Sequence, residues 1–356
     1  MNDDLPQIAI PAVYMRGGTS RALVFHDRDL PADRSARDRI FLAALGSPDP
    51  GERQLDGMGG GISSLSKIAI VGPSSRPDAD VDFTFVQVSV TGAHVGYRGN
   101  CGNISAAIGP FAVDEAVVAA EGDDALVRIH NTNTGKLVHA RFPLSGGKAA
   151  VRGDCTIAGV AGSGAPVRLD FLDPGGAVTG RLLPTGRVRE TLDLGTGTAE
   201  ASLVDAANPV VFIADPGTTD LAWLETLRVA AALRMGIAAS EDEARTGSAS
   251  LPLVALVSAP AMGGDIAVRM ISSGQLHKAT PLTGALCLAV AARIDGTIAH
   301  EFASPREAER LVIEHPAGLL EVAARVSGTG TEARADFATF YRTARRLMEG
   351  RVLVPR

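Results

Sequence analysis

The chain has 356 residues, with 34 Lys and Arg against 40 Asp and Glu, a formal charge of −6, and 46 % hydrophobic residues. That length suffices for two domains with separate cores, and the mild acidity sets aside nucleic acid and anionic membrane surfaces as partners. No apolar run reaches the ~18–20 residues of a membrane span, and MNDDLPQIAI lacks the features of a signal peptide, so a cytoplasmic protein is expected.

Strand-length apolar runs lead the first half: IAIPAVYM (8–15), RALVFH (21–26), KIAIVG (67–72), VDFTFVQVSV (81–90) and ALVRIH (125–130). Between the second and third, ADRSARDRIFLAAL (32–45) has helical spacing and stops at Gly46. A second helix is predicted from Asn103 through ISAAIGPFAVDEAV; it has no polar face, which implies burial on every side. The order then repeats. PVVFIA (209–214), LETLRVAAALRMG (224–236), PLVALVSAP (252–260), GDIAVRMIS (264–272) and an apolar helix TGALCLAVAARI (283–294) follow in the same sequence. Aligning IAIV (68–71) with VALV (254–257) gives an offset of 186, and LVF (23–25) with VVF (210–212) gives 187. Two similar halves are therefore expected, 1–183 joined by the terminal strand 346–356, and 184–345, with the break in the Gly/Pro-rich 173–187. Helix N-termini converging between the halves would suit carboxylates held by backbone N–H groups.

Three cysteines without a CxxC pair, and no HExxH, point to neither a disulfide scaffold nor a zinc site, and no metal or organic cofactor is expected. Cys101 is set apart by its setting, Asn100 before it and Gly102-Asn103 after it, at the start of the buried helix, where the helix dipole favours negative charge on sulfur. Cys155 and Cys287 lack such surroundings and read as structural. Lys67 opens an apolar strand after the glycine-rich LDGMGGG and the serines Ser63, Ser64 and Ser66. It reads either as a proton acceptor stripped of solvent or as a solvated lysine at a strand start. Gly17-Gly18-Thr19-Ser20 offers N–H and hydroxyl donors to an anion, yet is no Walker loop, and GMGGG is no dinucleotide fingerprint. In SSGQLHKATPLTGA (272–285), Lys278, Thr280, Thr283 and Gly284 offer charge and donors, whereas His277 reads as structural.

The segments MRGGTSR, GSPDP, LDGMGG with SSLSK, GNCGNISAAIGPFA, LPTG, SGQLHKA, EHPAG and RTARRLMEG together resemble the PrpF family of proton-shifting isomerases, and they run from residue 14 to about 350. The resemblance implies an α+β fold of two similar diaminopimelate-epimerase-like domains, each a curved, mostly antiparallel sheet wrapped around a central apolar helix. The strand RVLVP (351–355) would return to the first domain. It also implies a cofactor-independent isomerase, with Lys67 and Cys101 as acid and base in the cleft between the domains. The substrate would be a small unsaturated di- or tricarboxylate such as 2-methylaconitate, 4-oxalomesaconate or aconitate. Carboxylate contacts would come from Arg16, Thr19 and Ser20, and from Ser64 and Ser66. Further contacts would come from Asn100, Gly102 and Asn103, and from Lys278, Thr283 and Gly284. A homodimer is expected on the same ground. A racemase on this fold, or a carboxylate binder without activity, are the competing readings. PLTGA lacks the second cysteine of two-thiol epimerases, which counts against the first; intact Lys67 and Cys101 count against the second. Arg21, Arg187 and Leu253 depart from the family pattern.

Overall fold

A computed structural model of the chain describes residues 6–97, 100–272 and 274–356; Arg98, Gly99 and Ser273 of the motifs above lie outside the described residues. Two units are resolved, Met1–Leu169 with Tyr341–Arg356, and Asp170–Phe340.

In the first unit β1 (Gln7–Gly17) and β2 (Ser20–His26) form a hairpin, followed by α1 (Arg34–Leu45). Next, β3 (Lys67–Pro73) runs parallel to β2 and antiparallel to β4 (Val81–Val88). After the short β5 (Val95–Gly96) comes α2 (Gly102–Asp114). Then β6 (Asp124–Asn131) joins parallel to β4 and pairs with β7 (Lys136–Ser145), with a two-residue β8 (Lys148–Ala149) after it. β9 (Pro166–Leu172) carries the chain across into the second unit.

The second unit holds β10 (Glu190–Asp193), β11 (Thr198–Ala206), β12 (Asn208–Ala214), α3 (Leu221–Arg234) and α4 (Glu241–Thr246). β13 (Leu253–Ser258), β14 (Ile266–Ser272), β15 (Gln275–Leu276), α5 (Leu282–Ala291), α6 (Ile298–Phe302), β16 (Arg310–His315) and β17 (Gly318–Ser327) complete it. Its parallel pairings, β12 with β13 and β14 with β16, fall where β2–β3 and β4–β6 fall in the first unit. The repeat read from sequence is thus a repeat of topology. β18 (Arg334–Pro355) pairs its first residues with β17 and its last with β1. Only its final residues read as strand in the sequence. RTARRLMEG is rich in helix formers, and pairing with β1 overrides that preference.

The two faces of the first sheet are covered differently. On one, Ile40, Phe41, Ala44 and Leu45 of α1 pack with Ile10, Tyr14, Leu23, Phe25, Ile68 and Ile70. Asp33 caps α1 by accepting from Ala36 N at 2.7 Å, and Gly46, at φ 73°, ends it. Strand alternation turns His26, Lys67 and Ala69 to the opposite face, where α2 lies: the His26 and Phe111 rings are 5.0 Å apart. Contacts to β1, β2, β3, β4, β6, β7 and β8 surround α2, and every residue from Ile104 to Val113 is buried. That accounts for the missing polar face. Full burial of Ile104, Ile108 and Phe111 contributes roughly 1.5–3 kcal/mol each.

Candidate active site

Lys67 is the first residue of β3, paired with Gln87 of β4. With Ile68 and Ile70 committed to the α1 face, its side chain goes to the α2 face, and Nζ donates to Cys101 Sγ at 3.1 Å. Nζ also lies 5.4 Å from the Phe85 ring centroid. Cys101, 8 % exposed, is the N-cap residue of α2 with extended backbone (φ −124°, ψ 96°), and its side chain caps none of the helix N–H groups. The N–H groups of the first turn and the positive end of the helix dipole are left available at the sulfur. Negative charge on a bound oxygen would be stabilised there.

The lysine is held from behind. Gln54, 1 % exposed and at φ 50°, donates through Nε2 to Ser47 Oγ and Ser66 Oγ, both at 2.8 Å. Its Oε1 accepts from Gly61 N at 3.0 Å. Gln87 Nε2 donates to the carbonyls of Ser63 (3.0 Å) and Ser66 (2.9 Å), tying the short 3-10 helix Ser63–Leu65 to β4. The Ser66 hydroxyl is thereby engaged in fixing the lysine's backbone, and the half-buried Ser64 sits in the turn. Asp49 anchors the loop in turn, accepting from the N–H groups of Gly51 (2.8 Å), Arg53 (3.0 Å) and Gln54 (2.6 Å).

Those three N–H groups outweigh burial and hold the Asp49 carboxyl below the usual carboxylate range. A folded-state value below the unfolded one gives stability that is complete above the unfolded value, ~4, and lost as pH falls through the folded value. The stability gap between wild type and Asp49→Asn, followed by urea unfolding, should be full at neutral pH and shrink steadily below about pH 4. A gap of equal size at both ends would show that the charge contributes nothing.

Around Cys101 the flanking residues are interlocked. Asn103 Oδ1 accepts from Thr19 N and Arg342 Nε, each at 3.3 Å, and its Nδ2 donates to Thr19 Oγ1 at 3.2 Å. Arg342 is 9 % exposed; burial pulls its guanidinium down to about 10, opposed by the Cys155 sulfur. Arg16 is likewise engaged, donating through Nη1 to the carbonyls of Gly18 and Thr343 at 2.9 Å each. Burial and the neighbouring Arg345 lower its pKa. Ser20 is 1 % exposed, whereas Thr19 is exposed. Asn100 Oδ1 accepts from Asn131 Nδ2 at 2.9 Å, and Ser105 Oγ lies 3.0 Å from Cys101 O and 3.4 Å from Asn100 Oδ1. The first unit therefore gathers Lys67, Cys101, Asn100, Gly102 and Asn103, with Thr19 and Arg16 joined through Asn103 and Gly18.

The second unit carries the other three. Lys278 is exposed, Thr283 is 4 % exposed in the first turn of α5, and Gly284 follows it. Gly284 is closely packed: a Cβ there would stand 2.6 Å from Met270 Sδ and 3.0 Å from Leu253 Cδ1, so those side chains would have to shift. Leu253, first in β13 as Lys67 is first in β3, is 3 % exposed, so the repeat replaces the lysine by a core residue. His277 Nδ1 accepts from Ala279 N at 3.1 Å. Cys287 is fully buried, which pushes its thiol well up, and burial raises Cys155 as well. Arg187 is exposed, and Arg21 lies 5.5 Å over the Tyr14 ring, on the α1 face of the sheet.

Gln54 and Asn131 carried no signal in the sequence beyond their residue type, and Arg342, which opens RTARRLMEG, was not singled out within that motif. Among the described residues, no three His, Cys, Asp or Glu side chains gather as a metal site, and no helix is long and apolar enough to cross a membrane.

The sequence pattern of a family described as PrpF protein matches residues 7–355. The 3-methylitaconate isomerase of Eubacterium barkeri is 43 % identical, over 98 % of this chain and 98 % of its own. The 4-oxalomesaconate tautomerase of Pseudomonas putida is 38 % identical, over 98 % and 97 %. The crystal structure of a methylitaconate-Δ-isomerase superposes with a TM-score of 0.81 at 42 % identity, covering 99 % of this chain and 97 % of that one. Epimerase and racemase structures at 10 % and 14 % identity share the fold alone.

Proposed function

We propose, given that the chain belongs to the PrpF family and is an isomerase, that it moves a proton along the allylic system of an unsaturated di- or tricarboxylate, with Lys67 and Cys101 as the acid–base pair. The observation that carries this reading is the 3.1 Å hydrogen bond between Lys67 Nζ and Cys101 Sγ at the uncapped start of α2.

The proton to be removed is α to a carboxylate or ketone and far less acidic than any side chain. A base alone is insufficient, and the enediolate charge must be met by donors fixed in advance. The N–H groups of the first turn of α2 supply them, in a place where a bound oxygen gains from the helix dipole. One member of the pair removes the proton from the first carbon and the other delivers one to the distal carbon, so C=C–C–H becomes H–C–C=C with no change in oxidation state. Turnover leaves the pair with its proton on the wrong partner. The direct N–H···S hydrogen bond lets it pass back, which resets the site.

The substrate belongs to the class that contains 2-methylaconitate, 4-oxalomesaconate, aconitate and methylitaconate, as the names of the relatives support. A cytoplasmic location and a homodimer complete the proposal. A two-thiol racemase is disfavoured because α5 begins with Pro281 as its N-cap, where α2 has Cys101.

Proton NMR of the enzyme in D₂O with each of these acids tests the reading. Deuterium at an allylic carbon together with a shifted double bond is the expected result, and it names the substrate. Exchange at a stereocentre without migration would make the protein an epimerase; no exchange with any of the acids would overturn the assignment to this class.

A further inference from the structure

Asn131 takes no part in the acid–base pair, yet the hydrogen bonds around it can run in one sense only. It is fully buried at the end of β6. Its carboxamide oxygen accepts from the backbone N–H groups of Asn133 (3.0 Å) and Thr134 (3.2 Å). A backbone N–H only donates, so that end of the group must be oxygen. The other end is then the NH₂, and it faces the Asn100 carboxamide at 2.9 Å. Asn100 must answer with its own oxygen, which Ser105 Oγ also approaches at 3.4 Å. The remaining end of Asn100, Nδ2, is left as a donor with no partner among the described residues, one residue before Cys101. The neighbouring Asn133 reinforces the arrangement, donating to the carbonyls of Phe85 (2.8 Å) and Tyr97 (2.6 Å), so the turn after β6 holds the chain just ahead of the cysteine.

We infer that Asn131 is a positioning residue that locks the Asn100 amide with its NH₂ outward, making the position beside Cys101 a donor to an anionic substrate oxygen, either carboxylate or enediolate. The inference rests on the isomerase reading above. Turned the other way, Asn100 would present a carbonyl oxygen to the same anion. Nothing in Asn100 itself prevents that rotation; the direction is set by two backbone N–H groups beyond Asn131.

Asn131→Asp separates this role from a structural one. The carboxylate still accepts from the N–H groups of residues 133 and 134, so the turn is kept, and any cost of burying its charge is shared by both backgrounds compared below. It cannot donate to Asn100, whose amide then rotates to give it the NH₂ and presents oxygen to the substrate. The expected result is a fall in kcat/KM of about 10- to 100-fold, the value of one hydrogen bond to a charged group, carried mostly on kcat. In an Asn100→Ala background the same substitution should cost less than about twofold, because there is no amide left to orient. An equal loss in both backgrounds would mean that the new charge acts directly, and an unchanged kcat/KM in the single variant would mean that the orientation does not matter; either overturns the inference. If wild type turns over none of the acids, the same four proteins are compared by calorimetric affinity for cis-aconitate, judged by the same coupling. Failure of the acid–base reading is seen separately, as normal turnover by Lys67→Met or Cys101→Ser while the Asn131–Asn100 coupling persists.

Discussion

Replacing Lys67 by Met, or Cys101 by Ser, lowers kcat/KM for isomerisation by about 10²–10⁴-fold, the ordinary worth of a positioned proton-transfer group. Substrate affinity is expected to change far less, because the proposed carboxylate contacts are N–H groups that neither substitution touches. The double variant should lose no more than the worse single one, since a proton removed and never returned yields no product. The two singles differ in what they leave behind. If Lys67 removes the proton, Cys101→Ser in D₂O still washes deuterium into the remaining substrate at the carbon that loses it, and Lys67→Met does not; the opposite pattern reverses the roles. Neither variant should unfold: if the site trades stability for reactivity, as the proposed role of the pair implies, Lys67→Met is expected to keep or slightly raise the melting temperature. Turnover within twofold of wild type in both variants would remove the pair from the mechanism.

The placement of Lys67 and of Cys101 in the candidate site was partly legible in the sequence, for definite physical reasons. KIAIVG alternates about a buried sheet, so Lys67 has to leave on one face or the other. An unbroken apolar run after Cys101 can only be a helix enclosed on all sides, which places the cysteine at its start. The repeat was legible because each half must cover the same two faces with the same order of elements. What stayed hidden were the groups that hold the site in place. Gln54 meets Ser66 across 12 residues, Asn131 meets Asn100 across 31, and Arg342 meets Asn103 across 239. Periodicity reports which face a residue takes but not which polar group it will find there. Asn103 shows the difference: its position made it a candidate carboxylate contact, but nothing in its position told that its side chain would bond Thr19 and Arg342. Gly284 is similar, a candidate contact by neighbourhood whose closeness to Met270 the sequence did not reveal.

The second large effect is expected from one methyl group at Gly17. A Cβ there would stand 2.3 Å from the carbonyl oxygen of Asn103 and 3.2 Å from Ile104 Cα, both backbone atoms of the first turn of α2. Neither can swing aside, so Gly17→Ala must push apart the end of β1 and the start of the helix that carries Cys101. Overpacking of this kind costs roughly 1–3 kcal/mol, or about 2–4 °C of melting temperature per kcal/mol in a domain of this size. The activity should fall further than the stability does, by about 10²-fold, because a shift near 1 Å in a reacting group is enough for that. Gly18→Ala supplies the contrast. Its Cβ would come within 2.0 Å of Asn103 Oδ1, the end of a side chain, and its φ of 50° adds the strain of a left-handed alanine. Truncating the side chain in Asn103→Ala should therefore recover part of the stability lost in Gly18→Ala and none of that lost in Gly17→Ala, as read in a pair of double-mutant cycles. Equal recovery in both cycles would place the conflict in the asparagine side chain instead of the helix backbone, and the start of α2 with Cys101 would then not be displaced by Gly17→Ala.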